Sequence, residues 1–130
     1  MITDPISDFL TRLRNAGHAR HETVTSPSSR IKLAIAKILE QEGYVSDVAV
    51  TQDGPRATLT LALAYEGKEP KLRSIKRIST PGRRVYRKAD EMPRVLSDLG
   101  LAIVSTSQGL MTNKQARKRR LGGEIICEVS

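Results

Sequence analysis

Aromatic side chains are nearly missing from this chain: one phenylalanine, three tyrosines and no tryptophan in 130 residues. Phe9, Tyr44, Tyr65 and Tyr86 are too few and too scattered to build a ring platform. That excludes reading single-stranded nucleic acid by stacking bases on a sheet. Cysteine occurs once, at Cys127, so no internal disulfide framework can form and a reducing compartment is expected. On the apolar face of a strand it reads as a small core residue. Histidine occurs only at His18 and His21, with no ligand cluster beside them, so no metal or cofactor is expected. No apolar run approaches the roughly 18 residues that a membrane span needs. The start, MITDPISDFLTR, lacks the basic and apolar regions of a secretory signal. The cytoplasm is the expected location, with no membrane partner.

What the chain does have is positive charge. Lysine and arginine number 22 against 14 acidic residues, a net charge of +8 with a pI near 10.1. Such a surplus attracts polyanions, of which nucleic acid is the commonest. The surplus is uneven. Residues 1–50 carry six basic and six acidic groups, 51–100 carry eleven and six, and 101–130 carry five and two. Between Lys71 and Lys88 there are eight cations and no acid.

The pattern predicts an α+β (mixed α/β) chain of two small lobes. Asp4 and Pro5 start a helix bearing Ile6, Phe9, Leu10 and Leu13 at helical spacing, with Gly17 as its stop. HETVTSP is extended. Ser28 and Ser29 then open a second helix, whose stripe of Ile31, Ile35, Ile38 and Leu39 closes at Gly43. YVSDVAVT and RATLTLALAY form a hairpin about Asp53-Gly54, with Ala57, Leu59, Leu61, Leu63 and Tyr65 on one face. These elements make an α-β-α-β-β lobe over 1–65. EGKEP, residues 66–70, reads as a linker.

The second lobe, 71–130, is mostly β with short helices. LRSIKRIS and RVYRK form a basic hairpin about TPGR, and DEMPRVLSDLG holds one short helix ended by Gly100. LAIVSTS is a strand, TNKQARKRR a helix that Thr112 can cap, and GGEIICEV a last strand with Ile125, Cys127 and Val129 inward.

In the hairpin, strand alternation would gather many of Lys71, Arg73, Lys76, Arg77, Arg83, Arg84, Arg87 and Lys88 on one face, where a polyphosphate would relieve their repulsion. A charged, aggregation-resistant edge is the plainer alternative. Tyr86 in their midst can stack, donate its hydroxyl, or simply pack. Lys114, Arg117 and Lys118 share one side of the last helix, suited to phosphate or merely to the helix dipole.

STSQG, Ser105 to Gly109, follows the apolar run LAIV. A nucleophile elbow needs glycine two places before the serine, where Ser105 stands instead, and no histidine base is near. No phosphate-binding glycine loop of the Walker type occurs. Hydrolase chemistry is therefore excluded and no enzyme activity is expected. The hydroxyls of Ser105, Thr106 and Ser107 can bond phosphate, ribose or base edges, and Gly109 permits close backbone approach. A strand-to-helix turn with local side-chain caps explains them equally well.

STSQGLMTNKQAR followed by GGEIICEV resembles the C-terminal signature of bacterial-type small-subunit ribosomal protein eight. DPISDFLTRLRNA, SPSSRIKLAIAKILEQEGY and PGRRVY are similar to the same family in the same order, so the likeness spans nearly the whole chain. The resemblance implies a two-lobed protein, monomeric when free, that binds the central domain of small-subunit ribosomal RNA and helps organise the platform. It implies neighbours among ribosomal proteins, including five and twelve, and in some bacteria repression of the protein's own messenger RNA. Carried over by position, it implies RNA contact by Ser105, Thr106, Ser107 and Gly109, flanked by Arg84, Tyr86, Arg87, Lys88, Gly122, Gly123 and Glu124. In the first lobe it implies contact by Thr3, Asp4, Ser28, Ser29 and Arg30, with Arg14 and Asn15. Two departures stand out: Ser130 in place of a terminal aromatic, and an unusually basic ARKRR. A DNA-binding architectural module is the rival from another class.

Overall fold

The first helix, α1 (Pro5–His18), buries Phe9, Leu10 and Leu13 at the expected helical spacing. Gly17 does not stop it. The glycine is buried inside the helix, where an added Cβ would come within 3.6 Å of Pro70. The helix closes beyond it, as the His21 amide donates to the Ala16 carbonyl at 2.9 Å and Arg20 to Gly17 at 3.1 Å. This paired closure puts Arg20 in the left-handed region, at φ +59. The computed structural model describes residues 4–95 and 100–130.

Two units divide the chain. One is Ile6–Arg73; the other is Ser74–Ser130 with the N-terminal residues through Pro5. The first contains β1 (Thr23–Pro27), α2 (Arg30–Gln41), β2 (Val45–Asp53) and β3 (Arg56–Leu63), with sheet order β1-β3-β2, all antiparallel. Ser29 caps α2 by accepting from the Lys32 amide at 3.3 Å, and Gly43 at φ +84 ends it. Central β3 buries Leu59 and Leu61 fully, and α2 buries Ile35, Ala36 and Leu39. Ile31 is only half-buried, because Lys32 takes the inward position beside it. Each fully buried large apolar side chain contributes about 1.5–3 kcal/mol.

The stretch 66–70, expected as a linker between lobes at 1–65 and 71–130, is folded into this unit. β4 (Tyr65–Glu66) pairs with β5 (Glu69–Pro70) about Gly67 at φ +65. Tyr65 consequently belongs to this small hairpin rather than to β3, and its hydroxyl donates to the His21 carbonyl.

The second unit is a five-stranded antiparallel sheet built on the last strand, β10 (Gly123–Val129). One neighbour is β8 (Leu101–Thr106), which continues through a tight turn to β9 (Gly109–Thr112). On its other side β10 pairs in succession with β6 (Ile75–Arg77) and β7 (Tyr86–Arg87). The expected basic hairpin is therefore corrected: its two halves follow one another along the same side of β10. Ser79, fully buried, explains why. Its Oγ accepts from the Val85 amide at 2.7 Å and donates to the Val85 carbonyl at 3.3 Å, pinching off residues 80–84 as a loop.

A bulge between Ile125 and Cys127 changes the expected facing of the last strand. Ile125 lies opposite Val104, but Cys127 lies opposite Ile103, on the other face. Ile125 joins Ala102, Val104, Met111 and Ala116 in one core cluster. Ala116 belongs to α3 (Asn113–Lys118), which Thr112 caps as expected, with Gln115 completing a capping box. A 3-10 turn occupies Ala89–Glu91, while the short helix expected to end at Gly100 falls on a stretch that includes 96–99, outside the described residues. With three α-helices and a predominance of strands among the described residues, the chain is α+β as expected.

Candidate nucleic-acid interface

Register builds the candidate site. Tyr86 on β7 lies opposite Glu124 on β10, and Glu124 lies opposite Ser105 on β8. Residues paired across strands share a face, so these three side chains form one row. Tyr86 is 63% exposed, unusual for the largest side chain of such a row. Arg84, from the pinched loop, donates from its NH1 to Glu124 Oε2 at 3.0 Å. That hydrogen bond, with the charge behind it, raises the guanidinium above its ordinary value and keeps it ionised.

The hydroxyl tip adjoins the row. Thr106 Oγ1 donates to the Gly109 carbonyl at 2.9 Å and accepts from the Gln108 amide at 3.1 Å. Its hydroxyl thus holds the two-residue turn in shape. Ser107, Gln108 and Gly109 are exposed, and Gly109 at φ +106 occupies a conformation that side chains rarely adopt. The turn leads into β9, a strand without a separate signal in the residue pattern, so STSQG is a hairpin tip and not a strand-to-helix turn.

The two glycines have a packing reason. A Cβ on Gly123 would fall 2.2 Å from the Ser105 carbonyl oxygen; one on Gly122 would fall 2.8 Å from that of Arg87. Only glycine lets β10 enter between β7 and β8 and bring the tyrosine, the carboxylate and the hydroxyls together.

The cations are arranged differently from expectation. Alternation does not gather them on one face. Lys71 and Arg73 belong to the first unit. Arg77 is held by Asp4, with Nε 3.1 Å from Oδ2, and by the Ile126 carbonyl at 2.8 Å. Tyr86 and Arg87 are consecutive in a strand and so point to opposite faces. What assembles Arg83, Arg84, Arg87 and Lys88 is the sheet edge, where all four are exposed. In α3, Arg117 donates to the Pro93 carbonyl at 3.4 Å, while Lys114 and Lys118 are exposed.

The family model described as "Ribosomal protein S8" matches residues 4–130.

The chain belongs to the ribosomal protein S8 family. Among curated relatives, the small ribosomal subunit protein uS8 of Caldanaerobacter subterraneus subsp. tengcongensis is 57% identical over 130 residues, covering 99% of this chain and 98% of its own. Those of Finegoldia magna and Syntrophomonas wolfei are 55% and 53% identical, covering 99% of this chain and 99% and 98% of theirs.

Within this S8 chain, the other expected contact residues lie in the first unit. Arg14 and Asn15 are exposed on α1, and Ser29 and Arg30 are exposed where α2 begins. Ser28 lines a cleft with Arg12 and Arg56. Asp4 belongs with the second unit through Arg77. Thr3 lies outside the described residues. No group of three or more potential metal ligands occurs among the described residues. No described helix is long and apolar enough to cross a membrane. Burial pushes the Cys127 thiol up to about 12, leaving it neutral and a poor nucleophile near pH 7. Sequence reasoning missed the partnership of Arg84 with Glu124, which depends on residues forty apart meeting through register.

Proposed function

We propose that this chain is a structural protein of the small ribosomal subunit that binds ribosomal RNA directly and without catalysis. The observation that carries the reading is the Tyr86–Glu124–Ser105 row, exposed at Tyr86 and half-buried at Glu124 and Ser105, bordered by a hydroxyl tip and an edge of exposed cations. Tyr86 offers an apolar ring face and a hydroxyl, both accessible. Ser105 and Ser107 supply short donors and acceptors for a ribose hydroxyl or a base edge, and Thr106 holds the turn that presents Ser107. Arg83, Arg87 and Lys88 supply phosphate contacts that fix orientation without reading sequence. Glu124 sharpens specificity: it repels phosphate, holds Arg84 in place and can accept from an amino group of a base.

In finer detail, the target is an irregular helix in the central domain of small-subunit RNA, where the protein supports platform assembly from the cytoplasmic pool of free monomer. The first unit adds backbone contacts through Ser28, Ser29, Arg30, Arg14 and Asn15. Ribosomal proteins five and twelve are its proposed neighbours, and its own messenger RNA is a second ligand if that RNA copies the helix. The family membership and the relatives' names support the ribosomal role; the register of β7, β10 and β8 supports the RNA-facing surface.

Competition binding tests the reading. An irregular helix from small-subunit RNA should outcompete duplex DNA of equal length at equal salt. Equal affinity for both would favour a DNA-binding architectural role instead.

A further inference from the structure

Among the described residues, two other than glycine hold a left-handed backbone: Arg20 at φ +59 and Arg120 at φ +57. Each closes a helix. At the end of α3 the Arg120 amide donates to the Arg117 carbonyl at 3.1 Å, and the Leu121 amide to Ala116 at 2.8 Å. Glycine is the favoured residue at that position, because a Cβ crowds the neighbouring carbonyl. In α1 the arginine has a local counterpart, since Arg20 lies 3.8 Å from Glu69. Arg120 has none. Neither it nor Arg119 makes an ion pair or a side-chain hydrogen bond with any described residue.

The path of the chain then adds charge to charge. Gly122 crosses the preceding strand so closely that a Cβ there would lie 2.8 Å from the Arg87 carbonyl oxygen and 3.1 Å from Lys88 Cα. Arg119 and Arg120 are thus only two or three residues from a point touching Arg87 and Lys88. All four are exposed, as is Lys118. Asp90 and Glu91, which follow Lys88, form no ion pair with any of them. The fold alone therefore gains little here: like charges are crowded, and one of them sits on a strained backbone. The closing bonds of the helix hold this left-handed backbone as they do at Arg20, so it is the unpartnered charge beside Arg87 and Lys88 that points toward a ligand.

We propose that the closing turn of α3, Arg119 and Arg120, joins Arg87 and Lys88 in a second clamp on the phosphate backbone of the bound RNA. It is distinct from the Tyr86–Glu124–Ser105 row and works without reading bases. Guanidinium groups suit it because each can fork two donors onto one phosphate. The inference rests on the RNA-binding reading above and adds a footprint to it.

The test uses the full chain and complete small-subunit ribosomal RNA transcribed in vitro, with binding followed over a potassium chloride series. Arg120→Gly should flatten the slope of log affinity against log salt by about 0.9, and Arg119→Gln with Arg120→Gly by about 1.8. Near ~0.15 M salt each lost contact should weaken binding about 5-fold. The melting temperature of Arg120→Gly should equal or exceed that of the parent, since the left-handed strain is relieved. Arg119→Lys with Arg120→Lys should keep the parental slope. An unchanged slope in the doubly neutral variant, or a slope in the lysine variant as flat as that variant's, overturns the clamp. If the parent itself prefers RNA no more than duplex DNA, the RNA-binding reading has failed instead.

Discussion

Two arginine–carboxylate pairs of nearly equal length stand in the second unit, Arg77 with Asp4 at 3.1 Å and Arg84 with Glu124 at 3.0 Å. Their surroundings differ. The two carboxylates are similarly covered, Asp4 at 19% and Glu124 at 14% exposed, but the side chain of Arg77 is 11% exposed and that of Arg84 50%. Arg77 also donates to the Ile126 carbonyl, at the bulge of β10, so its remaining hydrogen-bonding capacity serves the fold. Arg84 comes from a loop, touches one carboxylate and keeps an open side. Identical chemistry can thus fasten a sheet or leave a guanidinium open to a ligand, and the exposure of the cation decides which, because an exposed charge is screened and adds little to stability. A charge run in a sequence cannot be read as a binding site until its members are sorted in this way.

The largest effect that would sharpen this contrast comes from the exposed edge. Replacing Arg83, Arg84, Arg87 and Lys88 together with glutamine should flatten the salt slope by about 2.7, for the three phosphate contacts of Arg83, Arg87 and Lys88, and lower affinity for the RNA by about 10²-fold at ~0.15 M salt. The melting temperature should move by only a few degrees. Filter binding over a salt series, beside thermal unfolding by circular dichroism, measures both. A large loss of stability with little loss of binding would break the comparison.

Arg77→Gln should behave in the opposite sense. It leaves the Asp4 carboxylate partly buried without its cation, at a cost on the order of 2 kcal/mol. For a chain of this size that is roughly 8 °C in melting temperature. The salt slope for RNA should stay within experimental error, because Arg77 already has its partners. A flattened slope would mean that Arg77 reaches phosphate after all.

Local signals carried most of the helices. Ser29, Gly43 and Thr112 mark ends by their own chemistry, and the apolar spacing of Phe9, Leu10 and Leu13 needs only neighbours in sequence. The failures share another character. Gly17 looks like a stop, but its smallness serves close packing near Pro70. RVYRK looks like the return arm of a hairpin because TPGR precedes it; the clamp that prevents this is Ser79, an ordinary serine in sequence. The bulge at the middle of β10 leaves no trace in EIICEV, yet it turns Ile125 and Cys127 to opposite faces. At the candidate site the hydroxyl tip was legible from polarity following an apolar run. The row itself was not, since Tyr86, Glu124 and Ser105 become neighbours only through strand pairing.

The smallest of these effects is at the tip, where Thr106→Ala separates shape from charge. The substitution removes the hydroxyl that bridges the Gln108 amide and the Gly109 carbonyl. Both groups are at an exposed turn and can bond water, so stability should fall by no more than about 1 kcal/mol. The turn, however, would lose the bridge that fixes where Ser107 is presented. Affinity for generic duplex RNA should be unchanged and the salt slope identical, because no cation is touched. The advantage of the specific irregular helix over generic duplex should shrink by about 5-fold, near 1 kcal/mol. Ser107→Ala should give a similar loss with no change in melting temperature, since Ser107 is exposed and holds no part of the turn. Equal weakening toward specific and generic RNA in both variants would mean that the tip adds only general affinity, and that discrimination resides in the Tyr86–Glu124 row alone.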